Sequence, residues 1–173
     1  MSLEEAAQSG VAFYPDRPTV YVERLWAGPG TVRVFPLMLD LYDDGIPQDA
    51  DILRVQDYIE TVRPAGAVVA VAKPNAIPVN ITIANLTPDT TDVEAAVQAE
   101  LYDMFRRKSR VAGIDLQLSG MPYLAYPTTF SRSWIWQAIA NATGEESHVL
   151  TAPLADIPLN PGDMATLGTI SFA

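Results

Sequence analysis

The sequence predicts an α+β protein with two small α/β lobes, each a short mixed or antiparallel sheet backed by one or two helices. Two observations predict this class. Strand-like alternation and helical periodicity follow one another in each half of the chain, and connections rich in Gly and Pro separate the segments. We expect the first lobe over residues 1–75, as a hairpin, a helix and a strand. The second lobe is expected over residues 76–173.

The first predicted element is a β-hairpin. Apolar and polar residues alternate over Val20–Trp26, and a second strand is expected over Thr31–Leu41. Between them, residues 27–30 read Ala-Gly-Pro-Gly, which is typical of a turn. The two strands should therefore pair directly.

A helix and a short strand should complete the first lobe. From about Asp49, apolar residues recur with helical spacing on one face, at Ile52, Val55, Ile59 and Val62. Pro64 disfavours helical geometry at the residue before it, and Gly66 favours a helix stop. Residues 67–72 are apolar throughout, which indicates a buried strand.

The second lobe begins with a strand and a long helix. Residues 74–78 are expected to be a short connection, and the strand after it places Val79, Ile81 and Ile83 on one face. Thr91 and Glu94 have the spacing of a capping box, which predicts the start of a helix. That helix ends in three cations, which are favourable at the negative, C-terminal end of the helix dipole. Its apolar stripe comprises Val93, Val97, Leu101 and Phe105.

The rest of the second lobe should contain one more helix and two closing strands. The helix is expected over residues 131–142, with Gly144 as its stop, and the strands over 148–151 and 166–172. Residues 113–130 show neither the helical period of about 3.6 residues nor the strand period of about two. A stretch of that length without structure is uncommon in a compact domain unless it has a specific role.

Composition excludes several classes of function. Lys and Arg total 11 and Asp and Glu total 21, for a net charge of −10. Such an acidic chain gains no counterion-release energy on a phosphate backbone, and the same sign argues against anionic membranes. The absence of Cys excludes disulfides, thiolate catalysis and zinc–thiolate sites. We therefore expect no nucleic-acid and no membrane partner.

A search for catalytic, cofactor and metal residues finds none. His148 is the only histidine and is interpreted as a strand-edge residue. Asp40, Asp44 and Asp51 match three positions of a calcium loop, but Tyr42 occupies a ligand position and the last position lacks the usual Glu. Phosphate-loop, dinucleotide and nucleophile-elbow motifs are absent from the sequence. The chain is therefore expected not to be an enzyme, and to bind no cofactor, metal or small-molecule substrate.

The aromatic segment is the remaining anomaly. Residues two apart on a helix project about 200° apart, so Trp134 and Trp136 cannot both face one core. Trp and Tyr are favoured at protein interfaces. The basic run over residues 106–108 is a separate feature, and helix-end charge explains it better than a nucleic-acid patch does. The candidate interface residues are Tyr123, Tyr126, Phe130, Trp134 and Trp136.

Several ordered segments resemble one structural family. The first is a strand, Gly-rich turn and strand at Val20–Val34, and the second is an Arg-Pro-Ala-Gly motif followed by a strand, at Arg63–Val71. The others are the segments Pro78–Ile83, Val149–Pro153 and Leu167–Phe172. In this order the chain resembles the C-terminal half of a baseplate J-like protein, the Mu-type phage tail baseplate component. The family's larger N-terminal portion is missing, so the chain should be a fragment or a shortened member. Residues 113–130 are longer than the family's usual Gly-rich link between its last two helices, so the resemblance implies an aromatic insertion there.

The resemblance implies a structural role in the phage tail. Family members join the baseplate wedge, associate with themselves and with neighbouring wedge proteins, and have no cofactor or catalytic residue. The expected location is the virion, after assembly in the cytoplasm of the bacterial host.

Two other functions remain open from the residues alone. One is a non-catalytic binding module for a carbohydrate or small ligand that uses exposed Trp and Tyr residues. The other is a glycosidase, which would need two carboxylates about 5–9 Å apart across a cleft.

Overall fold

The structure is a computed structural model that describes residues 20–113 and 129–173, and these residues form an α+β fold. The predicted fold class is confirmed, since helices accompany small sheets of two or three strands. Two compact units divide the described residues. Residues 20–75 lie in the first unit, and residues 76–112 and 129–173 lie in the second. The division into lobes over residues 1–75 and 76–173 remains a prediction.

Over its described residues 20–75, the first unit contains a three-stranded mixed sheet and one helix. Its elements are β1 (Val20–Arg24), β2 (Thr31–Pro36), α1 (Asp49–Val62) and β3 (Val68–Val71). The strand order is β1-β2-β3, with β1 antiparallel and β3 parallel to β2. The parallel pair requires a crossover, and α1 supplies it.

Both strands of the hairpin are shorter than the sequence predicts. Leu25 takes a φ of 61°, which ends β1 before Trp26. Beyond Pro36 the main chain turns, and the Met38 amide donates to the Gly45 carbonyl at 2.8 Å. The expected strand ends at residues 26 and 41 were therefore wrong. A turn and a loop take the place of the missing strand residues.

Helix α1 begins and ends where the sequence predicts. Asp51 accepts a hydrogen bond from the Gln48 amide at 3.1 Å, which satisfies a main-chain donor at the helix start. The apolar stripe is partly buried at three of its four positions, whereas Val62 is 60% exposed. The helix therefore contributes little fully buried surface to this unit.

The side chain of Gln56 on α1 covers the outer edge of β3. Its amide nitrogen donates to the Val69 carbonyl at 3.1 Å, and its amide oxygen accepts from the Val71 amide at 2.7 Å. Unpaired strand edges invite pairing with other chains. Gln56 occupies the groups that such pairing would use.

The second unit combines a three-stranded sheet, a two-stranded sheet and two helices. Its elements are β4 (Asn75–Thr87), α2 (Thr91–Lys108), β5 (Thr129–Phe130), α3 (Arg132–Ala140), β6 (Ser147–Ala152), β7 (Ile157–Pro158) and β8 (Asp163–Phe172). The strand order is β6-β4-β8 in the larger sheet, and β5 pairs with β7 in the smaller one.

Two sequence expectations are corrected in this unit. The predicted connection over residues 74–78 was wrong, because β4 already begins at Asn75. The predicted capping box was also wrong. Thr90 is the capping residue, and its hydroxyl accepts from the Val93 amide at 3.4 Å. A cap one residue earlier leaves Glu94 out of capping-box position.

The core of the second unit lies between β4 and the two helices. The predicted stripe of α2 is buried at all four positions, and so are the three inward residues of β4. At Gly168 the strands β8 and β4 approach closely, since a Cβ atom there would lie 2.4 Å from the Asn80 side-chain oxygen. The Asn80 side chain also accepts from the Thr169 amide at 3.0 Å. Only glycine fits this contact.

Candidate protein–protein interaction surfaces

The predicted interface residues do not form one surface in the described structure. Tyr123 and Tyr126 lie outside the described residues. Phe130, Trp134 and Trp136 lie at β5 and in the first turns of α3. The three differ in burial and therefore in the role that each can have.

Phe130 and Trp134 pack inside the second unit. Phe130 is 2% exposed and stacks on Phe105, with ring centroids 4.8 Å apart. Trp134 meets Phe130 edge to face at 5.3 Å and is only partly buried. Buried aromatic pairs of this kind contribute mainly to core stability. In this structure Phe130 is a core residue and is not accessible to a partner.

Trp136 is the aromatic residue of α3 that faces solvent. It is 50% exposed, as the angular separation from Trp134 predicts. Its ring lies 5.5 Å from the His148 ring, and His148 Nδ1 lies 2.8 Å from a Glu145 carboxylate oxygen. His148 belongs to β6, an outer strand of its sheet, as predicted. Of this cluster only Trp136 is exposed, because the side chains of His148 and Glu145 are 2% and 7% exposed.

A buried ion pair organises one face of the first unit's sheet. Glu23 is 4% exposed, and one of its carboxylate oxygens accepts from Arg33 Nε at 2.8 Å and from Arg33 Nη2 at 2.5 Å. The Arg33 guanidinium also lies over the rings of Trp26 and Phe35, at 5.3 and 5.0 Å. Arg33 thus connects the charge of Glu23 with the aromatic residues of the hairpin.

Two of the three acidic residues that resemble a calcium loop, Asp44 and Asp51, have structural partners. Asp51 accepts from the Tyr42 hydroxyl at 2.7 Å, and Asp44 accepts from the Ile46 amide at 2.9 Å. The bond from Tyr42 lowers the pKa of the Asp51 carboxyl below its ordinary value, and the same bond raises the pKa of Tyr42. Within residues 20–113 and 129–173, no group of three or more metal-ligating side chains occurs.

The basic end of α2 is largely used within its own helix. Arg106 donates to the Tyr102 hydroxyl at 2.9 Å, and Arg107 lies 3.0 Å from Asp103. Lys108 lies over the Trp134 ring at 5.7 Å. These contacts fit the interpretation as helix-end charge. Among the helices described, none is both long and apolar enough to cross a bilayer.

Exposed apolar side chains concentrate on the first unit. Of the large exposed apolar residues described, nine lie in the first unit and four in the second; the nine are Val20, Val22, Leu25, Trp26, Leu41, Leu53, Tyr58, Val62 and Val68. An excess of exposed apolar surface commonly marks a protein interaction site. The first unit is therefore the stronger candidate for contact with a partner.

Part of this surface forms an open groove at the turn end of the hairpin. The groove has a volume of about 530 Å³ and lies between the hairpin and the turn before β3. Its lining includes Val22, Leu25, Val32 and Ala67, and Arg24 is a charged residue at the same site. We call this feature the hairpin groove.

One apolar residue of the second unit stands out by its exposure. Leu154 is 87% exposed and lies between β6 and β7, in the loop formed by residues 153–156. Arg132 anchors the loop, because its side chain donates to the Pro153 carbonyl at 2.7 Å and its amide donates to Asp156 at 2.7 Å. We call this feature the Leu154 loop.

Sequence reasoning missed both the hairpin groove and the Leu154 loop. The groove requires the hairpin turn and the turn at Gly66 to meet, which follows from parallel pairing of β2 and β3. The local sequence carries no signal of that pairing. For Leu154, the available signal was a leucine in a Pro-rich segment between two predicted strands.

Comparison with known proteins confirms the resemblance to the baseplate J-like family. Residues 18–73 match the family model described as the Baseplate J-like central domain. The chain is also 32% identical over 157 residues to the protein named JayE of Escherichia coli (strain K12). That alignment covers 87% of this chain and 53% of JayE, so the chain spans about half the length of this curated relative. Neither finding favours the carbohydrate-binding or small-ligand alternative.

Proposed function

We propose that this chain, whose residues 18–73 match the Baseplate J-like central domain, is a structural component of a phage or prophage tail baseplate. It would act in assembly of the baseplate wedge through protein–protein contacts and would not be an enzyme. The family match carries this proposal. The concentration of exposed apolar residues in the same segment supports it, because an assembly protein needs surface that becomes covered by neighbours.

The proposed partners are other wedge proteins and further copies of this chain. The proposed location is the virion, where the chain would be incorporated after synthesis in the host cytoplasm. The net charge of −10 supports this order of events, because a strongly charged chain stays dispersed before assembly.

Tail particles provide the direct test of this function. We expect mass spectrometry of particles purified from the producing bacterium to detect the chain in fixed proportion to other baseplate proteins. Deletion of its gene should leave particles without a complete baseplate, and complementation should restore them. Intact particles that lack the chain would overturn the proposal.

We further propose that Trp136 contributes to a partner interface together with Tyr123 and Tyr126. Exposure of the Trp136 ring supports this role, because exposed Trp residues are frequent interface hot spots. Changing the three residues to Ala together should weaken association with wedge proteins in pull-down experiments. The matched control is Tyr102→Ala, which removes another exposed aromatic side chain, 37% exposed on α2 of the second unit. Unchanged association of the triple variant would exclude the proposed interface.

A further inference from the structure

The Leu154 loop is built to hold an apolar side chain in solvent. Leu154 is 87% exposed, yet Pro153 before it and Asp156 two residues after it are both hydrogen-bonded to Arg132. Arg132 donates from its side chain to the carbonyls of Pro153 and Leu150, each at 2.7 Å. Asp156 accepts from the Arg132 amide at 2.7 Å. A rigid loop loses little conformational entropy when its exposed residue binds, which favours association.

The hairpin groove offers a complementary site on the first unit. It is lined by apolar side chains and has a volume of about 530 Å³. That volume lies within the range of about 300–1,000 Å³ that is typical of binding pockets, so a leucine side chain with its adjoining backbone fits. The groove is open, so a protruding loop can enter it from solvent.

Charge also matches between the two features. Arg24 lines the groove, is exposed, and has no ion-pair partner among the residues described. Within residues 153–156 the single charge is that of Asp156, which is exposed, whereas the guanidinium of Arg132 that anchors the loop is partly buried against the Pro153 and Leu150 carbonyls. Opposite charges at the rim of an apolar contact favour one orientation and speed the encounter.

We propose that the Leu154 loop of one copy of this chain docks into the hairpin groove of a second copy. The contact is heterologous, because it joins two different surfaces, so each copy keeps one unused loop and one unused groove. Contacts of this type build rings where the rotation closes and open chains where it does not. The inference rests on the proposed function for its biological setting and specifies the self-association that this function includes.

Sedimentation velocity of the full chain over a concentration series tests the contact. Wild type should show concentration-dependent association. Leu154→Asp should weaken association about 10- to 100-fold, since a leucine can no longer be buried. Leu25→Asp should weaken it similarly from the groove side, and Asp tolerates the φ of 61° at this position. Leu53→Asp, which changes a 64%-exposed leucine on α1, is the matched control and should leave association unchanged.

A mixture of the two weakened variants distinguishes this contact from a symmetric one. Leu154→Asp keeps an intact groove and Leu25→Asp keeps an intact loop, so an equimolar mixture should form dimers and no larger species. Arg132→Ala, which releases the loop, should also weaken association. Circular dichroism should show all variants folded. A mixture that stays monomeric, an equal effect of Leu53→Asp, or wild type that is monomeric at every soluble concentration would each overturn the proposal.

Tail particles separate failure of this inference from failure of the proposed function. A chain that is present in purified particles but monomeric in solution refutes the loop–groove contact and leaves the baseplate role intact. A chain that associates as expected but is absent from particles supports the contact and refutes the baseplate role.

Discussion

The two units of this protein distribute their apolar side chains in opposite ways. In the second unit, 20 of the 24 buried core residues described are found, and its helices and β4 enclose them. The first unit supplies the other four, Tyr21, Phe35, Leu37 and Leu39, but nine of the 13 large exposed apolar residues. The second unit is stabilised mainly by its own core, whereas the first presents much of its apolar surface to solvent.

This difference indicates separate roles, fold stability for the second unit and partner contact for the first. A unit with a full core stays folded without partners, because burial of apolar surface is the main stabilising contribution. A unit with exposed apolar surface gains stability when that surface is covered. The match to the Baseplate J-like central domain falls on the first unit. Sequence similarity and exposed surface therefore point to the same part of the chain.

The largest expected effect is on the core of the second unit. Phe130→Ala removes a ring that stacks on Phe105 and meets Trp134, and should lower the free energy of unfolding by about 3–5 kcal/mol. Urea unfolding followed by circular dichroism measures this loss. A loss below about 1 kcal/mol would show that Phe130 is not a core residue and would break the comparison.

A somewhat smaller effect is expected for the ion pair of the first unit. Arg33→Met leaves the buried Glu23 carboxylate without its partner, which should cost about 3 kcal/mol. Differential scanning calorimetry should show a lower melting temperature. The double variant Glu23→Gln with Arg33→Met should recover part of the loss, because the buried charge is gone. If the double variant is no more stable than the single one, the account of this pair is wrong.

Removing the edge cover of β3 should have a more modest effect. Gln56→Ala deletes the two hydrogen bonds to Val69 and Val71 and should cost about 1–2 kcal/mol. It also exposes a strand edge, so aggregation measured by light scattering should increase. Asp57→Ala changes a neighbouring exposed residue of α1 and is the control. Equal aggregation of the two variants would contradict the edge-cover role.

The smallest effect concerns the pH dependence of the first unit. The hydrogen bond from the Tyr42 hydroxyl lowers the pKa of Asp51 in the folded state. The stability that this bond contributes is therefore complete above the ordinary pKa of 3.8, and it is lost as the pH falls through the lower folded-state pKa. Tyr42→Phe should therefore reduce stability at about pH 7 more than at about pH 2. Urea unfolding at both values measures this. An equal reduction at the two values would exclude the linkage.

Local patterns predicted the elements of this fold, and tertiary contacts limited that prediction. The stripe from Val93 to Phe105 was predictable because helical periodicity reports burial directly. The end of β1 was not, because a leucine at positive φ, as at Leu25, leaves no sequence signal. Of the candidate interface, the exposure of Trp136 followed from its spacing to Trp134. The burial of Phe130 did not, because it depends on stacking with Phe105, which is distant in sequence.

Amide hydrogen exchange of the chain, alone and within purified tail particles, tests the central claim most directly. In the free chain, we expect the amides of β1, β2 and β3 to exchange faster than those of β4 and α2, because fewer buried contacts protect them. In assembled particles, exchange over residues 20–36 and 66–71 should slow, while exchange over residues 79–105 should change little. Equal protection of both units in the free chain, with no slowing of the first unit on assembly, would contradict the claim.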